Sequence, residues 1–115
     1  MSRLVYKICP EGLWRKAEDA GYFDGAPVDR ADGFIHFSTA EQLRETAARH
    51  FAGLGDLLLI SVDAEALGKD LRWEVSRGGA LFPHLYSRLP LFAVRRVERL
   101  PLGPNGEHAF PADIA

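Results

Sequence analysis

The distribution of apolar residues along the chain predicts several short β-strands and two main helices. Alternation, or an apolar run with the length of a strand, occurs in six segments. These segments are Leu4–Ile8, Gly33–Ser38, Leu57–Val62, Leu71–Val75, Phe82–Tyr86 and Leu91–Leu100. The run LLLISV at Leu57–Val62 is apolar throughout, which is typical of a strand buried on both faces. Pro83 leaves open whether the fifth segment is a strand or a short helical turn.

Two stretches have the spacing of amphipathic helices. The first is predicted from Pro10 to Gly21, because proline is tolerated in a first helical turn and glycine favours a helix end. The second follows Ser38, which together with Glu41 fits the spacing of a capping box. Residues Tyr22–Asp32 are polar and rich in turn formers, so a loop is predicted there.

The order of these elements favours an α+β fold with a split, mostly antiparallel β-sheet and two main helices. A doubly wound parallel sheet would need more helices for the four to six predicted strands. The 115 residues suffice for one core. We therefore predict a single domain over residues 1–115, with an irregular tail from about residue 101, where prolines recur.

Composition and charge narrow the classes of function. The net charge is −2 and the basic residues are spread out, so no broad nucleic-acid surface is predicted. No apolar run approaches the roughly 18 residues of a membrane helix, and the N-terminus lacks the apolar core of a signal peptide. These features predict a cytoplasmic protein without a membrane partner. The single cysteine, Cys9, excludes an internal disulfide and is interpreted as a small buried residue. Nothing in the pattern indicates the oligomeric state.

Three segments, GFIHFST, LRWE and FPHLY, place polar side chains two positions apart among bulky apolar neighbours. Side chains two apart in a strand point to the same face, and a polar pair among apolar residues is suited to lining a ligand cleft. The pairs are His36 with Ser38, Arg72 with Glu74, and His84 with Tyr86.

Each pair has a functional and a structural interpretation. His36 has a ring that donates, accepts or titrates near neutrality, or it is a core histidine bonded to backbone. Ser38 is predicted as a helix cap, and the helix N-terminus beside His36 would then attract an anion. A serine nucleophile is disfavoured because Ser38 has no GxSxG context. Glu74 suits a general base or the stabilisation of developing positive charge; alternatively, Arg72 and Glu74 form a solvated pair.

A metal centre is the weaker alternative. His36, Glu74 and His84 are ligand types of a two-histidine, one-carboxylate site. Their spacing matches no local zinc motif, and the chain has no glycine-rich phosphate loop. No metal ligands are therefore predicted.

The ordered segments GFIHFST, EQL, DLLLISVD, LRWE and FPHLY closely resemble a bacterial family of domains of unknown function, numbered 952. The resemblance extends from about Lys7 to Leu100. It implies an ADP-ribosyltransferase-like fold, which is a split β-sheet with flanking helices.

The resemblance also implies roles for individual residues. In active ADP-ribosyltransferases of one class, a histidine, a tyrosine and a glutamate from successive strands form the NAD site. The histidine corresponds to His36 and the tyrosine to Tyr86. The acid comes last in those enzymes, whereas here Glu74 precedes Tyr86 and Glu98 follows it.

Three functions are consistent with these observations. The first is an enzyme that cleaves the nicotinamide–ribose bond of NAD or of a related nucleotide. Its catalytic residues would be His36 and Glu74, and its binding residues His36, Ser38, Thr39, Arg72, His84 and Tyr86. The second is a non-enzymatic module for a small anion or nucleotide, and the third is a metal-dependent enzyme. NAD is thus a possible substrate, and no cofactor is otherwise predicted.

Overall fold

The structure, a computed structural model, describes residues 3–114. Its strands are β1 (Leu4–Pro10), β2 (Tyr22–Phe23), β3 (Ile35–His36), β4 (Leu57–Asp63), β5 (Leu71–Val75), β6 (Leu81–Leu85), β7 (Leu89–Pro90) and β8 (Val94–Arg99). Its α-helices are α1 (Glu11–Ala20), α2 (Pro27–Asp32), α3 (Leu43–His50) and α4 (Ala64–Leu67). No helix formed by these residues has the length and apolarity needed to cross a lipid bilayer.

Two three-stranded antiparallel sheets organise the chain. One has the strand order β1-β4-β8 and the other β3-β6-β5, while β2 and β7 form a separate short ladder. Tyr6 and Ser38 connect the two larger sheets, because each backbone N–H donates to the other residue's carbonyl at 2.8 Å. The α+β class and the antiparallel pairing are confirmed. The described residues form four helices, since the short α2 and α4 join the two that were predicted.

Strand β4 is buried along its whole length, as its apolar run predicted. Leu58 and Ile60 face the main core, which also contains Cys9, while Leu57 and Leu59 face a second core beneath α3. Burial raises the pKa of the Cys9 thiol to about 11, which keeps the thiol protonated. The interpretation of Cys9 as a buried structural residue is therefore supported by its surroundings.

The predicted loop at Tyr22–Asp32 is wrong, since this stretch contains β2 and α2. Pro27 occupies the first turn of α2, and Asp29 stabilises the helix start by accepting the Ala26 N–H at 2.7 Å. The helix ends at Gly33, whose φ of 86° lies in the left-handed region that glycine favours. A helix of six residues is too short to display a helical period in the sequence.

The predicted cap at Ser38 is also wrong. The backbone of Ser38 pairs with Tyr6, and its hydroxyl lies 2.9 Å from the Thr46 hydroxyl. The helical turn Ala40–Gln42, which leads into α3, instead follows Thr39. Thr39 donates its N–H to Gln42 Oε1 at 3.0 Å, so the capping spacing is correct but displaced by one residue.

Two further boundaries differ from the sequence-based expectation. The segment Phe82–Tyr86 corresponds to strand β6, and Pro83 does not interrupt it because its carbonyl accepts the Phe37 N–H at 3.0 Å. The last predicted strand begins later than expected. Residues Leu91–Ala93 form a helical turn, and β8 starts at Val94.

Candidate functional site

The three polar segments form neighbouring strands of the β3-β6-β5 sheet. The register places His84 of β6 opposite both His36 of β3 and Arg72 of β5. Residues opposite one another in an antiparallel pair project from the same face. Glu74 lies two residues beyond Arg72 on that face, and Tyr86 follows β6. The structure therefore brings five of the predicted site residues together.

The opposite face of this sheet explains why the polar residues point away from the main core, although His84 itself is buried within the cluster. Ile35, Leu71 and Leu85 alternate with the polar residues and are buried in the main core. A one-residue slip of any strand would exchange the two faces. The apolar positions thus fix the orientation of the polar face.

Aromatic rings form the floor of the site. Phe34 is stacked on the His84 ring, with 4.1 Å between centroids and 28° between planes. The Tyr86 ring lies 5.3 Å from Phe34, and the Arg72 guanidinium carbon lies 4.7 Å from the Tyr86 ring centre. These rings and the cation above them offer the flat and charged surfaces that nucleotide ligands use.

Glu74 connects the rings by hydrogen bonds. Its Oε1 accepts the Tyr86 hydroxyl at 2.7 Å and lies 2.8 Å from His84 Nδ1. The bond from Tyr86, and then that from His84, lowers the pKa of the Glu74 carboxyl, while the same carboxylate raises the pKa of Tyr86. The Glu74 side chain is 38% exposed. It therefore presents an ionised carboxylate beside the stacked rings.

His36 lies between two carboxylates of α2. Its Nδ1 is 2.6 Å from Asp29 Oδ1, and its Nε2 is 2.9 Å from Asp32 Oδ2. The ring is consequently fixed in orientation, with a third of its side-chain surface still exposed.

Asp29 fixes the position of His36. It is buried, and its carboxylate lies 2.9 and 3.0 Å from the ammonium of Lys7, which is buried as well. It also accepts the His36 N–H at 3.1 Å. Burial alone would raise the pKa of Asp29, but the bonds from His36, Lys7 and Ala26 outweigh burial and hold the pKa at about 2.

A cleft of about 260 Å³ opens beside this cluster, between α2 and the segment that follows β6. Phe34 and Tyr86 line it together with Arg30 and Arg88 and with two acids, Asp24, which lies 3.9 Å from Arg30, and the buried Asp29. The cleft therefore combines aromatic walls with guanidinium groups, which suits a ligand that carries a ring and an anionic group.

Three candidate residues lie elsewhere. Ser38 is buried against Thr46. Thr39 lines a different cleft, alongside Trp73. Glu98, the later of the two candidate acids, is in β8 of the other sheet, opposite Leu59 and bonded to Arg96 at 2.6 Å. Of the two acids, Glu74 is the one beside His84 and Tyr86.

The geometry does not favour the metal alternative. Glu74 Oε1 and His84 Nδ1 are bonded directly to each other, and the His36 ring is held by Asp29 and Asp32. Within residues 3–114 there is no group of three or more His, Cys, Asp or Glu side chains arranged to hold a metal ion.

Sequence reasoning missed three residues of the site. Asp29 was detectable, because an acid two positions after Pro27 marks the start of a helix. Lys7 interrupts an apolar strand, which is a sign of either an exposed residue or a buried ion pair. Phe34 was placed on the His36 face by alternation, but aromatic stacking with His84 has no local signal.

One family model and two solved structures of one bacterial protein match the chain. The model of a family described as a protein of unknown function, DUF952, matches residues 8–97. The crystal structure of protein CC0527 from Caulobacter crescentus is 50% identical, with a TM-score of 0.89 over 92% of this chain and 93% of that chain. The solution NMR structure of CC0527 is 51% identical, with a TM-score of 0.82 over 90% of each chain. None of the curated proteins compared with the chain matches it.

Proposed function

The chain belongs to the DUF952 family of proteins of unknown function, and from the geometry of its polar sheet face we propose that it binds NAD or a related nucleotide and cleaves the nicotinamide–ribose bond. One observation carries the proposal. The Glu74 carboxylate is held at the edge of the Phe34, His84 and Tyr86 rings, next to a cleft with guanidinium groups. The nicotinamide ring, the ribose and the phosphate of such a nucleotide are each assigned a partner at this sheet face.

The reaction requires stabilisation of positive charge at the ribose. When the bond from C1′ to the nicotinamide nitrogen breaks, its electron pair leaves with neutral nicotinamide and the ribose becomes oxocarbenium-like. A carboxylate close to that centre stabilises it, as in glycoside hydrolysis. Water or another nucleophile then bonds to C1′ and loses a proton. Glu74 is the carboxylate proposed for this role, because its pKa is lowered and its side chain remains accessible.

The remaining groups are assigned to binding and orientation. His36, which Asp29 holds in place at 2.6 Å through Nδ1, is assigned to a ribose hydroxyl, which would displace the exposed Asp32 carboxylate from His36 Nε2. Tyr86 and Phe34 provide the surface for the nicotinamide ring. Arg72, above the Tyr86 ring, is suited to a phosphate. This assignment uses the histidine, tyrosine and glutamate of the ADP-ribosyltransferase pattern, but it departs from the order of that pattern, because Glu74 precedes Tyr86 in the chain.

Binding is tested by replacing the stacking ring. Isothermal titration calorimetry of the purified chain with NAD should give saturable heat. The variant Tyr86→Leu should bind about tenfold more weakly, because stacking on one aromatic ring is worth about 1–3 kcal/mol. The matched control is Phe92→Leu, which alters an exposed ring outside this cleft and should bind NAD like the original chain. Absence of heat with NAD and with ADP-ribose would refute the proposal.

A second candidate, a non-enzymatic nucleotide-binding module, is favoured by one specific observation. Glu74 Oε1 already accepts two hydrogen bonds, from Tyr86 and at His84. A carboxylate committed to holding a binding surface need not take part in chemistry. In that case NAD binds to the same face and nicotinamide is never released.

A further inference from the structure

Two clefts, rather than one, open beside the segment that joins β6 to β7. The first is the cleft of about 260 Å³ at Phe34 and Tyr86. The second, of about 500 Å³, is lined by Tyr22, Asp70 and Pro90, the last residue of β7. Ser87 and Arg88 line both clefts. The two spaces are therefore neighbours that share one wall.

We propose that these clefts are the two halves of one groove, which holds a dinucleotide with its diphosphate at Arg88 and its second base at Tyr22. This inference rests on the proposed function, because it takes the nicotinamide end to lie at Phe34 and Tyr86. It adds a second subsite and a substrate class, a dinucleotide rather than a mononucleotide.

The first cleft is too small to enclose a whole ligand, so a ligand bound there must extend beyond it. Pockets for whole small-molecule ligands usually enclose about 300–1,000 Å³. The cleft at Phe34 and Tyr86 is smaller than that range, so a ligand stacked there continues outside it. The shared wall at Ser87 and Arg88 leads to the larger cleft, which has room for a nucleoside.

The types of side chain along the groove follow the same order as the chemical groups along a dinucleotide: base, diphosphate and second base. Aromatic rings line the first cleft, a guanidinium occupies the shared wall, and an aromatic ring lines the second cleft. Acids line both clefts as well: Asp24 and Asp29 in the first, which pair with Arg30 and Lys7, and Asp70 in the second. The Arg88 guanidinium carbon lies 4.2 Å from the centre of the Tyr22 ring, which holds the cation at the junction. Arg88 is exposed and forms no ion pair with any residue in the described part of the chain. It is thus available to an anionic group, and diphosphate matches the planar fork of a guanidinium.

The test compares NAD with nicotinamide mononucleotide, which lacks the second nucleoside, by isothermal titration calorimetry. NAD should bind at least about tenfold more tightly than the mononucleotide, since a second stacked base contributes about that factor. The variant Tyr22→Leu should reduce the affinity for NAD about tenfold and leave the affinity for the mononucleotide within about twofold. Phe92→Leu, a change of a surface ring that lines neither cleft, should alter neither affinity.

The outcomes separate the two proposals. Equal affinities for NAD and the mononucleotide, unchanged in Tyr22→Leu, would overturn the second subsite while leaving nucleotide binding at Phe34 and Tyr86 in place. A loss of affinity for both ligands in Tyr22→Leu would also overturn it, since the effect would not be confined to the second half. Absence of binding by either ligand would overturn the proposed function itself.

Discussion

Replacing Asp29 with asparagine is expected to lower the free energy of unfolding by about 3–5 kcal/mol, because the change leaves the Lys7 ammonium buried without a counter-charge. Lys7 is 7% exposed and lies within 3.0 Å of both Asp29 oxygens. The same substitution replaces the charged acceptor of His36 Nδ1 by a neutral amide oxygen. Chemical denaturation monitored by circular dichroism measures the effect.

The matched control for this prediction is Asp32→Asn. Asp32 also contacts His36, at 2.9 Å, but its side chain is 47% exposed. A change there should alter the free energy of unfolding by about 1 kcal/mol or less. The double variant Lys7→Met with Asp29→Asn should recover part of the loss, since it removes the uncompensated ammonium while the asparagine oxygen can still accept a backbone N–H at this position. Equal effects of Asp29→Asn and Asp32→Asn would show that the buried ion pair is not the cause.

The pH dependence of the unfolding free energy distinguishes the loss of the Asp29 charge from a change in side-chain shape at the same position. The folded-state pKa of Asp29 is about 2, below the ordinary value of 3.8, so its stabilising contribution is complete above pH 4. That contribution is lost as the pH falls through the folded-state pKa. The difference in unfolding free energy between the original chain and Asp29→Asn should therefore shrink by about 2 kcal/mol between pH 6 and pH 2. A difference that does not change with pH would contradict the assignment.

Replacing Glu74 with glutamine is expected to reduce the rate of nicotinamide release from NAD by about a hundredfold or more, because the amide cannot stabilise positive charge at the ribose as a carboxylate does. Glutamine keeps an oxygen that can accept the Tyr86 hydroxyl, now bonded at 2.7 Å. Affinity for NAD should therefore fall much less than the rate. Chromatographic detection of free nicotinamide follows the reaction.

The control for the Glu74 substitution is Glu98, the candidate acid that follows Tyr86 in the chain. Glu98→Gln should leave the rate unchanged, because Glu98 is bonded to Arg96 in the other sheet. If Glu98→Gln abolished release and Glu74→Gln did not, the assignment of the acid would be wrong. NAD binding without release by the original chain would instead favour the non-enzymatic module.

Local patterns predicted the parts of the fold that depend on local physics. The run Leu57–Val62 was identified because burial on both faces leaves a continuous apolar segment, and the observed strand extends one residue further, to Asp63. Alternation correctly grouped Arg72 with Glu74 and placed His36 opposite the core residue Ile35. The pairing of β3 with β6 could not be read from alternation, since it joins segments distant in sequence. The convergence of the three polar segments is therefore a property of the tertiary structure.

The errors have a common physical origin in tertiary contacts that override local signals. Both Ser38 with Glu41 and Thr39 with Gln42 fit the capping spacing, and the backbone pairing of Ser38 with Tyr6 decides between them. The short helix α2 is stabilised by the bonds that Asp29 makes to Lys7 and His36, not by an apolar stripe of its own. The sequence therefore placed His36 on the polar face of its strand but missed Asp29, the carboxylate that orients the ring.

The central claim is that one face of the β3-β6-β5 sheet binds a nicotinamide nucleotide, and an NMR titration of the ¹⁵N-labelled chain with NAD tests it most directly. Binding at this face should give saturable amide shifts concentrated at Phe34–His36, Arg72–Glu74 and His84–Arg88, together with Tyr22 if the second cleft holds the other half of the ligand, with the β1-β4-β8 sheet unaffected. Spectra that do not change at millimolar NAD, or shifts confined to the separate cleft at Thr39–Gln42, would contradict it.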